Sequence, residues 1–181
     1  MLLLPFSIGA GLALGCLRKG RLGALGRLRF RASAVIAVAL AAQLALPLLP
    51  DGARSGVVLA SYGAAGAWLL LNAPGRPAAL RCGLLLVAAG WFLNLLPIAA
   101  NGTMPVSASA RQESHRWGNR WQANLAKHEI VSDRARLGWL GDVIPARPLH
   151  SVMSVGDLVI AVGIATVVAG AMAHAQASPG D

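Results

Sequence analysis

A chain of 181 residues that is 56% hydrophobic and 13% charged carries more apolar surface than a soluble core of its size needs. Its mean hydropathy is +0.60, and the apolar residues gather in blocks long enough for a bilayer, which takes roughly 20 helical residues. The net charge of +9 is carried largely by short segments between those blocks. There it fits membrane topology and anionic lipid rather than a phosphate groove, so no nucleic-acid partner is expected.

Five apolar blocks follow in chain order: Met1–Leu17, Ser33–Leu49, Gly56–Ala73, Cys82–Ala100 and Val155–Ala173. The first is short and contains Pro5. The expected fold is all-α, an integral membrane bundle of five transmembrane helices in a single domain with the lipid bilayer as its first partner. Alanine and glycine are abundant in every block, which lets helix backbones approach closely. Cys16 and Cys82 are the only cysteines and lie at block edges. Two such residues build neither a disulfide framework nor a zinc site, and no metal or cofactor is expected.

Orientation follows from the short connections. Arg18, Lys19, Arg21, Arg27, Arg29 and Arg31 lie between the first two blocks with no acid among them, and Arg76 and Arg81 lie between the third and fourth. The turn between the second and third holds only Asp51 and Arg54. The positive-inside rule then places the chain in a cell inner membrane, its N-terminus and residues 101–154 outside and residues 174–181 inside. The outer segment carries seven Lys or Arg against four acids, but long segments obey the rule less strictly than short loops.

Within that segment, "ASARQESHRWGNRWQANLAKHEI" has a helical pattern, with Trp117, Trp121 and Leu125 at i, i+4 and i+8 on one face. Such a helix suits the membrane interface, with indole rings at headgroup depth and basic residues toward phosphates. It reads either as a lid or substrate-binding surface or as a plain surface anchor. Lys127-His128-Glu129 is the one histidine cluster with chemical potential, since His128 can exchange a proton near neutral pH. A solvated histidine beside an ion pair is the simpler reading and explains it without chemistry.

Two aspartates frame the approach to the last block. Asp142 stands in "LGDVIP", and Asp157 in "SVGDLVIAVG" at the mouth of the apolar run. Paired carboxylates cannot both ionise cheaply, so one keeps a proton while the other activates water. Ser154-x-x-Asp157 is also a capping-box pattern, in which each side chain satisfies a free amide at a helix start. Both readings stand at this level.

The segments "LNLLPIAANGTMPVS", "KH", "LGDVIP" and "SVGDLVIAVG", in that order, resemble the bacterial membrane family catalogued as domain of unknown function 5317. The resemblance covers about residues 90–169, with the first half matching only as helical spans. It implies a fold and a location more than an activity. A more distant similarity links Leu140–Ile144 and Ser154–Asp157 to the two aspartate motifs of lipoprotein signal peptidases, aspartyl enzymes of the inner membrane. That likeness implies four matching helices with both aspartates at the outer surface. The peptidase's Asn-x-Gly-Ala-Ala-Phe element has no counterpart in the turn at residues 51–55, and its Asp-Arg pair is absent.

Two functions follow. One is a non-enzymatic inner-membrane protein that binds a membrane-protein partner or serves as an assembly subunit. The other is a membrane aspartyl hydrolase acting on a lipid-anchored substrate at the outer leaflet. Its candidate dyad is Asp142 and Asp157, accompanied by Asn101, Lys127 and His128. Transport would need polar groups within the first four blocks, where Gln43 and Asn94 are the midspan candidates.

Overall fold

The computed structural model describes residues 3–110, 128–130, 135–146 and 151–174. Five helices dominate: α1 (Leu3–Leu17), α2 (Ser33–Ala45), α3 (Asp51–Asn72), α4 (Ala78–Asn101) and α5 (Val155–His174). Gly52–Asn72, Ala78–Asn101 and Val155–Ala173 are long and apolar enough to cross a membrane. Leu3–Leu17 and Ser33–Leu48 are shorter apolar helices, so three of the five expected spans reach full length.

Proline accounts for the shortness of α2. Pro47 has no amide to donate, and the chain tightens into a 3-10 turn over Leu46–Leu48 before Pro50 caps α3. The carbonyls freed by this break are met by Arg54, whose Nε donates to Leu46 O at 3.2 Å and Leu49 O at 2.9 Å. Arg54 lies in the first turn of α3, which begins at Asp51 after Pro50, five residues before its apolar block. Pro5 sits in the first turn of α1, where a proline removes no helical hydrogen bond.

The helices pack in the order α2, α3, α4, α5, α1. The α4–α5 seam is the tightest and runs antiparallel. A Cβ on Gly83 would meet Gly163 O at 2.9 Å, and a Cβ on Gly163 would meet Gly83 O at 2.9 Å. One heptad along each helix, Gly90 and Gly156 repeat the relation: each faces the other's carbonyl oxygen. Side chains at these points would push the helices apart, so glycine spacing sets both register and separation. On the other flank, Gly11 and Gly15 of α1 abut Ala165 and Met172, which makes α1 parallel to α5.

Two apolar clusters fill the remaining layers. Leu46, Val58, Ile98 and Met104 form one, with Tyr62 against it; Leu69, Ala73 and Leu84 form the other, with Phe30, Trp68, Trp91 and Val167 around them. Tyr62 and Trp91 stack at 4.6 Å between ring centroids, and Trp91 Nε1 donates to Tyr62 O at 2.8 Å.

The basic connection before α2 is held at both ends. Arg21 N donates to Met172 O at 3.0 Å. Farther on, Asn72 receives Arg31 N on its Oδ1 at 2.7 Å and returns Nδ2 to Arg31 O at 3.2 Å. Trp68 Nε1 also donates to Arg31 O, at 2.8 Å. Arg76 lies over the Phe30 ring at 5.0 Å and donates to the Arg29 carbonyl.

At the opposite end the chain leaves the helices for short strands. Strand β1 (Met104–Val106) pairs in parallel with β2 (His128–Ile130), Met104 opposite His128. Strand β3 (Ile144–Ala146) pairs antiparallel with β4 (Ser151–Met153), which leads directly into α5. The protein is mostly helical, and these strands correct the all-helical expectation. His128–Ile130 is extended, so "HEI" is not part of the anticipated interfacial helix, and residues 111–127 of that helix lie outside the described residues. Val106 pairs with Ile130 and Val152 with Pro145, and β1 begins two residues after the left-handed Gly102 that ends α4.

Candidate functional site

The apolar run of α5 needs a start that satisfies its free amides, and Ser154 provides it. Asp157 N donates to Ser154 Oγ at 3.0 Å, while Ser154 N donates to Asp157 Oδ2 at 3.1 Å. This is the reciprocal capping box that the Ser-x-x-Asp spacing predicts. A third residue closes the network from the neighbouring helix. Asn94 Nδ2 donates to Asp157 Oδ1 at 2.9 Å, and Ser154 Oγ donates to Asn94 Oδ1 at 2.7 Å.

Every atom of this joint has a role. Both carboxylate oxygens of Asp157 accept, the serine hydroxyl both accepts and donates, and the Asn94 amide uses its nitrogen and its oxygen. Ser154 and Asn94 are buried and Asp157 is partly so. Where water is scarce, leaving any of these groups unmade is expensive. Gly156 lets the joint form, because a Cβ there would strike Asn94 Oδ1.

Asp142 reaches the same end of the bundle by a backbone route. It pairs with Val106 in an isolated parallel bridge, donating its amide to Pro105 O at 2.8 Å. Its carbonyl receives Ser107 N at 3.0 Å. Gly141 permits this approach, since a Cβ there would meet Pro105 O. The residue is buried, with 5% of its surface exposed. From Asp142 the chain passes through β3 and β4 to Ser154. The two aspartates, fifteen positions apart, therefore both lie at the strand end of the molecule. The Tyr62 hydroxyl lies within electrostatic reach of both.

Asn101 sits at the last turn of α4 and clamps the returning segment. Its Nδ2 donates to Arg136 O at 2.7 Å and to Pro97 O at 2.8 Å, and its Oδ1 receives Arg136 N at 3.0 Å. Its amide is thus committed to backbone. His128 has its backbone in β2 opposite Met104; its side chain lies outside the described residues, as do Lys127, Trp117 and Trp121 in full. Among the described residues, no group of three His, Cys, Asp or Glu is placed to hold a metal. Cys16 and Cys82 are exposed and unpaired.

Sequence reasoning placed Asn94 only as a polar midspan residue and left Tyr62 unremarked. An asparagine in the middle of α4 and the single tyrosine of the chain were the available signals. Neither reveals its partner, because the contact to α5 spans more than sixty positions.

With this geometry in view, the comparison with known families is informative. Residues 27–169 match the family of unknown function DUF5317. The chain belongs to that family. The match runs from the basic connection through α5 and takes in α2 and α3, well before residue 90, where the motif resemblance begins. No curated protein and no solved structure matches the chain.

Proposed function

We propose that this DUF5317 member is a multi-pass inner-membrane protein that acts without chemistry of its own, as a partner-binding or assembly subunit. In this reading α1 and α2 join the three long helices in the membrane, and the 101–154 segment is presented on the outer side. The supporting observation is the structural use of Asp157: each of its oxygens accepts a hydrogen bond, one from Asn94 Nδ2 and one from Ser154 N, in a closed joint. A carboxylate so used orders a helix start and fixes α5 to α4.

A second reading, a signal-peptidase-like aspartyl hydrolase, draws on one specific observation. Asp142 is held to β1 by its backbone and the chain runs from it through β3 and β4 to Ser154 and Asp157, so the two acids lie at the same end of the bundle. In that case Asp142 and Asp157 would act together on a lipid-anchored substrate at the outer leaflet.

Complementation of a deletion strain separates the two, with membrane abundance measured alongside. Asp142→Asn and Asp157→Asn should each retain function under the subunit reading. If each abolishes function at normal abundance, and the double variant is no worse than either, the hydrolase reading replaces it, since catalytic groups acting as a unit are not additive.

A further inference from the structure

One end of the bundle collects cations. Arg18, Arg21, Arg27, Arg29, Arg31 and Arg81 are all exposed there. The connections that carry them join through the contacts of Arg21 with Met172 and of Arg76 with the Arg29 carbonyl. The described acids Asp51, Glu129, Asp142 and Asp157 belong to elements at the opposite end. We infer that this rim is a binding surface for the phosphate headgroups of anionic phospholipids, and the inference rests on the membrane reading above.

Three features favour lipid over other polyanions. First, the rim is preorganised: Asn72 and Trp68 grip the backbone of Arg31, and Met172 grips that of Arg21. Cations held this way bind with less loss of freedom than those of a loose basic tail. Second, apolar side chains stand among the cations. Leu17 is 80% and Leu22 59% exposed, the mixture suited to a surface where headgroups give way to acyl chains. Third, the aromatic residues here are not presented for base stacking. Phe30 is covered by Arg76 and packs against Trp68 at 5.2 Å, and the indole N–H of Trp68 is used by Arg31 O. A single-stranded nucleic acid would need free stacking faces.

The surface also differs from a mere topological signal. Charge alone orients a chain during insertion, whereas a pinned rim should discriminate among lipids after insertion. Purified full-length protein would be placed in vesicles of phosphatidylcholine alone or mixed with phosphatidylglycerol, and its thermal unfolding followed. The mixed vesicles should raise the unfolding midpoint, and increasing salt should erase the difference, because screening shortens the reach of exposed charges. The triple variant Arg27→Gln/Arg29→Gln/Arg31→Gln should lower the binding preference for phosphatidylglycerol by about tenfold or more. Its retention in carbonate-washed membranes should match that of the native chain.

Equal midpoints in the two vesicles, a salt-insensitive difference, or a triple variant with unchanged preference would overturn the inference. So would an oligonucleotide that displaces phosphatidylglycerol from the native protein. The salt series needs no variant, so a triple variant that fails to fold leaves the test intact. Loss of the native chain from washed membranes would instead refute the membrane reading itself.

Discussion

The carboxamide of Asn94 and the carboxylate of Asp157 join α4 to α5 through one hydrogen bond, Nδ2 to Oδ1, of 2.9 Å. The bond lies just beyond the Gly90–Gly156 contact, where the two backbones are closest. Close packing and a polar joint thus reinforce each other at the end of the seam nearest the strands. Asn94→Leu would leave one Asp157 oxygen and the Ser154 hydroxyl without their partner. It should destabilise the fold by about 1–3 kcal/mol, the cost of unmade buried hydrogen bonds. Reversible unfolding in mixed detergent measures this. Combined with Asp157→Asn, the loss should be less than additive, because the two residues share the bond being removed.

The capping box alone is worth less. Asp157→Asn keeps the size and an acceptor oxygen, and should cost no more than about 1 kcal/mol, as changes at helix starts do. Ser154→Ala removes the acceptor for Asp157 N and the donor to Asn94 together, so its loss should exceed that of Asp157→Asn. The same unfolding measurement ranks the two, and equal losses would mean that Asn94 contributes nothing through Ser154.

Glycine substitutions test the seam independently. Gly163→Ala places a methyl against Gly83 O at 2.9 Å and Val87 N at 2.7 Å, and backbone cannot step aside cheaply. Overpacking of this kind should destabilise by about 1–3 kcal/mol. Gly63→Ala in α3 is the contrast: nothing lies within 4 Å of its would-be Cβ, so it should be neutral or slightly stabilising by helix propensity. A loss at position 63 equal to that at 163 would remove the seam from the argument.

Much of this architecture is legible in sequence, and the limits are physical. The long apolar blocks identified the three long helices within a few residues, because hydrophobic runs of that length have few alternatives. Ser154 and Asp157 declared their local bond through i, i+3 spacing. The shortness of α2 depends on Pro47 within an otherwise apolar stretch, which hydropathy alone overlooks. The pairing of β1 with β2 and Asp142 depends on segments more than twenty residues away, and three-residue strands carry no periodicity to read. For the same reason the Asn101–Arg136 clamp, which joins residues thirty-five positions apart, leaves no mark in the local sequence.

That clamp makes its own prediction. Asn101→Ala should leave global unfolding nearly unchanged, within about 1 kcal/mol, since the Arg136 backbone is exposed and water can replace the amide. The returning segment should nonetheless loosen from the end of α4. Limited proteolysis would then cut faster near Arg136 in the variant than in the native chain. Unchanged cleavage would show that the β1–Asp142 bridge holds the segment unaided.

Orientation remains the most consequential expectation, because the outer segment and the basic rim change sides together if it is reversed. The structure sets Gly23 within the basic connection and Ser109 just beyond β1, at opposite ends of the bundle. Cys16 and Cys82 are exposed, so both must first be replaced by alanine to clear the background. Single cysteines introduced as Gly23→Cys and Ser109→Cys in intact cells would then meet a membrane-impermeant maleimide. With the arginine-rich connection inside, the reagent should modify position 109 and spare position 23 until the cells are opened. Gly23 has open space around it and Ser109 is exposed, so neither probe should disturb packing. Modification of position 23 in intact cells, with position 109 protected, would invert the topology. It would place Asp142 and Asp157 at the inner leaflet, beyond the reach of any outer-leaflet substrate.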